Sequence, residues 1–449
     1  IAGVTDVVLA EEVGCAYFRR DVGPREQAAV ARVLAREHGP GEDERGDVHA
    51  IAVVYDGDDL DEVARAIGRR REDVVALHAG AEYRVVMLGF RPGFAYLVGL
   101  PDELRLPRRA VRPRVPAGSV AIAAQYTGIY PLASPGGWHL LGRAPSFLPF
   151  DGGSGRATLA IGDVVRFVPR SAADERPAAP PPAEPATPAG PHLEITRANA
   201  IALLVDGGRP GRMHDGVPPG GPLVASALAR ANAAAGNAPD ACAIELSGTL
   251  EVTARGGALV VADDASGPVV LGPGERHLVS TQGRVRARYL AAQGGIDAPI
   301  WLGSRGALPS AGPLRRGQCL GVQESAGALA VSPPPAPSPD EPIALAPGPD
   351  ADEAILDALV RGELRVAASS DRTGTRLDGE LPPAPTRSMT RRSTPMVLGA
   401  IERTPAGLIV LGPDHPTTGG YPVVAVVRAS SLDAFMAIPI GGRVRFTRA

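Results

Sequence analysis

Between residues 89 and 143 the chain gathers aromatic rings, guanidinium groups and backbone-bending residues at a density that a plain scaffold does not need. The run Gly89-Phe-Arg-Pro-Gly-Phe-Ala-Tyr96 sets Phe90, Phe94 and Tyr96 among Pro92, Gly93 and Gly99. Proline fixes φ there, and glycine admits φ > 0 or close approach of backbone to a ligand. Aromatics held on such a frame can wall a pocket; a hydrophobic loop tucked against a sheet is the plainer alternative. Arg108, Arg109, Arg112 and Arg114 follow, and a guanidinium clamps a carboxylate or phosphate through two parallel hydrogen bonds. Ser134-Pro-Gly-Gly-Trp138, with His139 beside it and Arg143 beyond, offers backbone N–H groups at Gly136 and Gly137 that suit an anion or a developing oxyanion.

A second glycine-rich stretch lies near the C-terminus. Asp414 precedes Thr417, Thr418, Gly419, Gly420 and Tyr421, so one carboxylate, two hydroxyls and pliant backbone make a polar substrate loop. A tight turn held by Asp and Thr hydrogen bonds is the alternative. Ser370, Arg372, Gly374, Arg376 and Gly379 form another glycine-spaced basic loop. His78, His139 and His214 are as well suited to structural hydrogen bonds as to proton transfer. Irregular histidine spacing and the lack of clustered thiols give no metal signature. No GxxxxGK[ST] phosphate loop occurs.

These groups need a frame, and the hydrophobic pattern points to strands. Residues 50–55 read as a strand, 58–67 as a helix with acids in its first turn, and 71–77 as a second helix. Beyond these the period falls to two or to short apolar bursts at 83–87, 119–123, 138–141 and 163–168, separated by Gly and Pro turns. A compact barrel or curled sheet is expected. Later strands are expected at 200–205, 258–262, 364–367, 408–411 and 423–427, with helices across 223–235 and 432–436. Ile161-Gly-Asp-Val-Val-Arg-Phe167 and Ile440-Gly-Gly-Arg-Val-Arg-Phe446 nearly match, as two related units would. The fold class is mainly β with peripheral helices (α+β).

A proline- and alanine-rich run over 171–191 reads as a linker. The expected division is an N-terminal α/β lobe at 1–78, a barrel at 79–170, the linker, and a larger unit at 192–449; a proline cluster at 333–349 either splits that unit or forms a surface loop. A chain of 449 residues is long for one core. Its 46 Lys+Arg against 49 Asp+Glu, a net charge of −3, argues against a dedicated nucleic-acid binder. Three scattered cysteines fit a reducing compartment, and no apolar run is long enough to span a bilayer. A cytoplasmic, non-membrane protein is the expectation.

The motifs closely resemble the two fused accessory components, B-type and C-type, of bacterial ATP-dependent 5-oxoprolinase, a family also known as allophanate hydrolase subunits 1 and 2 or sporulation-kinase inhibitor and antagonist. The B-like match runs through Gly89 to Tyr96, Pro107-Arg-Arg109, Pro113 to Ser119, Gly128-Ile-Tyr-Pro131, Ser134 to Trp138 and Gly142-Arg143. The C-like match runs through Gly211-Arg212, His214, Gly216 to Gly220, Asn232, Asn237, Glu245, Gly294 to Asp297, Arg376-Leu377, Asp414 and Thr418 to Pro422.

The resemblance implies tandem cyclophilin-like β-barrel domains and a separate A-type subunit. It also implies a small cyclic amide as substrate, ATP with Mg2+ in the complete complex, and ring opening of 5-oxo-L-proline to L-glutamate. A homo-oligomer is compatible with it. On this reading Arg112 and Arg114 hold substrate or phosphate charge, and Asp414 with Thr418 orients water or substrate. Phe94, Tyr96, Tyr130, Gly136, Gly137, Trp138, Arg143, Arg372, Arg376, Gly420 and Tyr421 line the substrate site. A biotin-dependent carboxyltransferase component and a kinase-regulating interaction protein are the alternatives. The C-like half departs from the family at Gly221-Pro-Leu-Val224, at Ser304-Arg-Gly-Ala307 and at Glu402, which stands where glutamine is usual.

Overall fold

The computed structural model describes residues 3–448 except 11–12, 19–21, 35–45, 153–154, 172–186, 308–311, 326–331, 339–340, 381 and 383–392. Most of the expected linker therefore lies outside the described residues.

The strand Glu82–Leu88 shows why the first unit curls. Its side chains alternate, with Tyr83, Val85 and Met87 buried and Glu82 and Arg84 exposed, the period of two that lays one face on a core. It sits in a seven-stranded sheet ordered His139–Arg143, Ser119–Ala123, Tyr126–Ile129, Ala95–Val98, Glu82–Leu88, Val164–Pro169 and Val48–Val53. The pairing is antiparallel except between Val164–Pro169 and Val48–Val53. Val54 and Arg143 at the two edges exchange backbone hydrogen bonds of 2.9 Å in both directions, which nearly closes the sheet. Leu97, Ile122, Leu141, Val165 and Phe167 fill its interior, and the helices Leu60–Ala66 and Arg71–Gly80 add Val63 and Val74.

His78 belongs to that interior. It is fully buried, bonded to the Tyr55 hydroxyl at 2.8 Å and Thr127 Oγ1 at 2.9 Å, and stacked on Phe167. Burial pushes its pKa down to about 3, so it is a neutral structural group.

The described residues of 192–448 include two eight-stranded sheets and a small pair of Thr394–Pro395 with Thr418–Gly419. One is built on His192–Val205 and Ala243–Arg255, paired antiparallel along their lengths. The other runs Arg443–Val444, Leu364–Val366, Gly374–Asp378, Gly407–Leu411, Ala400–Thr404, Val423–Val427, Ile343–Pro347 and Phe446–Arg448. Its edge strands are separated in sequence by Arg445 alone, so this sheet also curls nearly shut. The helix Ala225–Ala234 and the helix Ala429–Ala437 contribute Ala227, Leu228 and Phe435 to one core with Tyr289, Val410 and Val424, which joins the two sheets.

The paired motifs do the same work in both curled sheets. Gly162 (φ 95°) turns the chain into Val164–Pro169, and Gly441 (φ 78°) into Arg443–Val444, which leads through Arg445 to Phe446–Arg448. Each of those last strands then pairs parallel with an early one, Val48–Val53 or Ile343–Pro347. The fold is mainly β, with peripheral helices and two nearly closed barrel-like sheets.

Candidate functional site

The loop Gly89 to Phe94 closes on itself, with Gly89 N–H donating to the Phe94 carbonyl at 3.1 Å and Phe94 N–H to the Arg91 carbonyl at 2.9 Å. Closure places Phe90 at φ 64°, a left-handed conformation that costs a non-glycine residue on the order of 1 kcal/mol. The loop then docks on the C-terminal unit. Gly93 N–H donates to the Asp215 carbonyl at 3.1 Å. A β-carbon on Gly216 would lie 2.8 Å from the Arg91 carbonyl, and one on Gly89 would lie 1.9 Å from Thr418 Oγ1. Gly216 is needed because two backbones meet there, and Gly89 makes room for the Thr418 side chain.

The hairpin Val4–Leu9 with Gly14–Phe18 straps the same seam. Asp6 accepts from Met213 N–H at 2.6 Å and pairs with His214 Nδ1 at 2.8 Å, and the Tyr17 hydroxyl donates to the Met396 carbonyl at 2.6 Å. Burial raises the Asp6 pKa, but the bonds from His214 and Met213 outweigh it and leave the carboxyl below its ordinary value. The bond to Asp6 raises the His214 pKa.

Behind the seam, Arg372 is a structural hub. Its guanidinium grips Asp414 through Nε (2.7 Å) and Nη2 (3.0 Å), reaches Glu245 through Nη1 (2.6 Å) and donates to the Gly221 carbonyl (2.7 Å). Glu245 also accepts from the Tyr289 hydroxyl at 2.6 Å and Leu223 N–H at 2.7 Å. Burial disfavours the Arg372 charge, and Glu245 and Asp414 more than offset that, so its pKa rises. Both Asp414 oxygens are engaged, so Asp414 fixes the loop that carries Thr418.

Two other arginines beside this loop lack such partners. Among the described residues Arg91 makes no side-chain hydrogen bond or ion pair. It lies over the Phe90 ring at 5.8 Å, and burial lowers its pKa against the pull of Asp414 and Asp371. Arg209 is 2% exposed and donates to the Trp301 and Gly306 carbonyls, yet among the described residues no carboxylate lies within ion-pair distance. Burial lowers its pKa too, opposed by Asp206 and Asp414. Thr417 Oγ1 and Thr418 Oγ1 are buried without a hydrogen-bond partner among the described residues, whereas Asp215 Oδ2, also without a hydrogen bond, lies 3.3 Å from His214 Nε2. Buried polar atoms are normally paired, and unpaired hydroxyls beside two uncompensated cations suit a small anionic ligand bearing polar atoms.

The residues singled out from sequence separate into groups. Phe94, Tyr96, Tyr130 and Trp138 are at most 6% exposed and form an edge-to-face cluster with centroids 4.9–5.7 Å apart. They fill the space behind the loop. Burial pushes the Tyr96 and Tyr130 pKa values up to about 12. A β-carbon on Gly136 would meet the Tyr130 hydroxyl at 2.3 Å, and one on Gly137 the Arg109 carbonyl at 2.7 Å. Gly136 thus makes room for the cluster, and Gly137 for the backbone at Arg109.

The basic residues also divide. Arg112 is bound to Asp59 alongside Arg109, and Asp59 accepts from Leu140 N–H at 2.7 Å. The Asp59 bond raises the Arg112 pKa. Arg114 is exposed, and Arg143 pairs with Asp56 at 2.9 Å. Arg376 projects outward from Gly374–Asp378. Thr418 lies in the seam, Gly420 follows it half-buried, and Tyr421 is 44% exposed.

The description "Carboxyltransferase domain, subdomain C and D" matches residues 1–155, and "Carboxyltransferase domain, subdomain A and B" matches residues 215–448. The chain belongs to the carboxyltransferase-domain family. It is related to the B-type and C-type components of 5-oxoprolinase. It is 50% identical over 125 residues to the 5-oxoprolinase B component of Escherichia coli O157:H7, covering 27% of this chain and 57% of that protein. It is 27% identical over 288 residues to the 5-oxoprolinase C component of Escherichia coli strain K12, covering 57% of this chain and 91% of that one. It thus spans about half the length of the B-type relative. The crystal structure of TTHA0988 superposes with a TM-score of 0.82 at 32% identity, over 100% of this chain and 93% of that one.

In this carboxyltransferase-domain chain the seam joins the two matched segments: Arg91 comes from the first, and Asp215 and Thr418 from the second. Sequence reading passed over Arg91, Arg209 and Asp215 as site groups, while it placed Thr417 in the polar loop after Asp414. Arg91 sat inside the strongest motif and Arg209 directly after Gly207-Gly208, but only the docking of the loops reveals that their charges go unmatched. Among the described residues no group of three His, Cys, Asp or Glu side chains is placed to hold a metal ion, and no helix is long and apolar enough to cross a membrane.

Proposed function

We propose that this chain is a fused B- and C-type component of an ATP-dependent 5-oxoprolinase, acting with a separate A-type subunit to open 5-oxo-L-proline to L-glutamate. The observation that carries the reading is the seam. Segments similar to the B-type and C-type components of that enzyme meet in one chain, and among the described residues Arg91 and Arg209 stand there without carboxylate ion-pair partners. A 5-oxoproline carboxylate would supply the missing charge, and Thr417 and Thr418 would address the ring amide. Arg372 would hold Asp414 and so keep Thr418 in position. Arg112, Arg114, Arg143 and Arg376 would act in the assembly or its outer surface.

When bound in the complete complex, ATP with Mg2+ supplies phosphoryl activation of the stable ring amide. The two curled sheets are taken as cyclophilin-like, the run 171–191 as the linker between B-like and C-like units, and the setting as cytoplasmic.

The test is coexpression with an A-type subunit and measurement of glutamate release from 5-oxoproline with and without ATP. ATP-dependent release supports the proposal; none from a folded, complete complex overturns it. Carboxyl transfer is the second reading, favoured by the carboxyltransferase description of both matched segments. It predicts instead that carboxybiotin is consumed in the presence of a small amide.

A further inference from the structure

A cavity of about 550 Å3 opens elsewhere in the C-terminal half, between the helix Ala225–Ala234, the helix Ala429–Ala437 and the segment 284–287. Its lining combines two chemistries. Val224, Ala227, Ala434 and Ile438 are apolar, and short alanine side chains leave open the space that larger residues would fill. Arg230, Arg284, Arg286, Arg443 and Arg445 are basic, against Asp264 as the one acidic lining residue, and Arg443 is already paired with Glu363 at 3.2 Å. Asp264 is already engaged, its Oδ1 accepting from Arg288 Nε at 2.8 Å and Tyr289 N–H at 2.9 Å.

Arg286 is the decisive group. It is 6% exposed and donates to Thr375 Oγ1 at 2.6 Å and the Asp371 carbonyl at 3.3 Å, and among the described residues no carboxylate lies within ion-pair distance. Burial lowers its pKa to about 10. Among the described residues Arg230 likewise bonds only to neutral oxygens, the Asp264 and Pro335 carbonyls and the Ser226 hydroxyl. Arg284 is exposed at the rim with no side-chain partner among the described residues. A buried cation normally has a counter-charge, and this one faces a void of the size that small ligands occupy.

We propose that this cavity is a binding site for a small molecule with an anionic head, phosphate or carboxylate, on an apolar body. The head would be held by Arg286, Arg230 and Arg284, and the body would lie against Val224, Ala227, Ala434 and Ile438. The site is separate from the seam but adjoins it in structure. Arg286 grips the carbonyl of Asp371, the residue before Arg372, and Val224 N–H donates to the Tyr289 hydroxyl that bonds Glu245. Occupancy would therefore firm the network that holds Asp414.

Titration calorimetry of the full chain with hexyl phosphate, hexanoate, hexanol and inorganic phosphate tests the proposal. Saturable one-site binding of hexyl phosphate or hexanoate is expected, at least tenfold tighter than hexanol or inorganic phosphate, and the tighter of the two names the head group. Arg286→Met should weaken that binding at least tenfold. Should that variant fail to fold, Arg284→Gln and the cavity-filling Ala437→Trp provide the same reading, each weakening binding while the melting temperature is kept. Absence of saturable binding by both anions overturns the proposal. So does equal binding of hexanol, or indifference of the bound anion to both Arg284→Gln and Ala437→Trp.

Discussion

Thr418 lies so close to Gly89 that a β-carbon on the glycine would sit 1.9 Å from the threonine hydroxyl and 3.0 Å from its Cβ. The contact joins a residue of the first matched segment to one of the second. Gly89→Ala should force the loops apart at a cost of about 1–3 kcal/mol, as overpacking does. Thr418→Ala removes the hydroxyl that clashes, so the double variant should recover part of the loss. Urea unfolding of the two single variants and the double variant measures the coupling; strictly additive losses would show that the two residues do not meet.

The Arg372 hub makes the next prediction. Arg372→Lys keeps a positive charge but cannot grip Asp414 with two parallel bonds and also reach Glu245 and the Gly221 carbonyl. Leaving buried carboxylates underpaired is expected to cost about 3–5 kcal/mol. The check is the denaturation midpoint, and a stability within about 1 kcal/mol of the parent, a small effect, would refute the hub.

Arg91 should behave oppositely, because its guanidinium carries no bond among the described residues that the fold would lose. Arg91→Gln is expected to leave the melting temperature near that of the parent; on the proposed 5-oxoprolinase reading it should also raise KM for 5-oxoproline in the assembled enzyme about tenfold or more, the worth of one charge-assisted bond. A large loss of stability with unchanged KM would make Arg91 a structural residue.

The contrast between Arg372 and Arg91 also marks how far the sequence was legible. Strand period, Gly/Pro turns and the twin Gly162 and Gly441 turns were open to a sequence reading because they are local. The helix Glu353–Arg361 went unread beside a proline cluster, although Asp352 caps it by accepting from Ile355 N–H at 2.8 Å. That cluster also hides the strand Ile343–Pro347. The aromatic motif was recognisable, yet only packing shows that Phe94 and Trp138 fill a core. Pairing between residues far apart in the chain decides which arginines are spent: Arg112 on Asp59, 53 positions away, and Arg372 on Glu245, 127 away.

The hairpin strap should depend on pH through Asp6 and His214. The folded His214 pKa lies above 6.5, so its contribution is complete below that value and is lost as pH rises through the folded pKa. The folded Asp6 pKa lies below 3.8, so its contribution is present above that value and lost as pH falls through the folded pKa. Docking is therefore strongest between the two. Hydrogen exchange of the Val4–Phe18 amides should quicken as pH climbs past 6.5, beyond the intrinsic rate increase. Asp6→Asn should remove that excess; an excess that persists in the variant would clear the pair of the role.

Glu402 gives the last pH prediction. It is 6% exposed, and a β-carbon on Gly419 would lie 2.9 Å from its Oε1, so it stands directly behind the strand Thr418–Gly419. Burial pushes its pKa from 4.5 up to about 7. The folded chain keeps this proton after the unfolded chain has released it, so stability falls as pH rises from 4.5 to about 7 and is level above that. The gap corresponds to on the order of 3 kcal/mol. Glu402→Gln retains the shape and removes the ionisation. Its melting temperature should match the parent's near pH 4.5 and exceed it by several degrees at about pH 8. Equal melting temperatures under those alkaline conditions would mean that the Glu402 carboxylate is compensated where it sits.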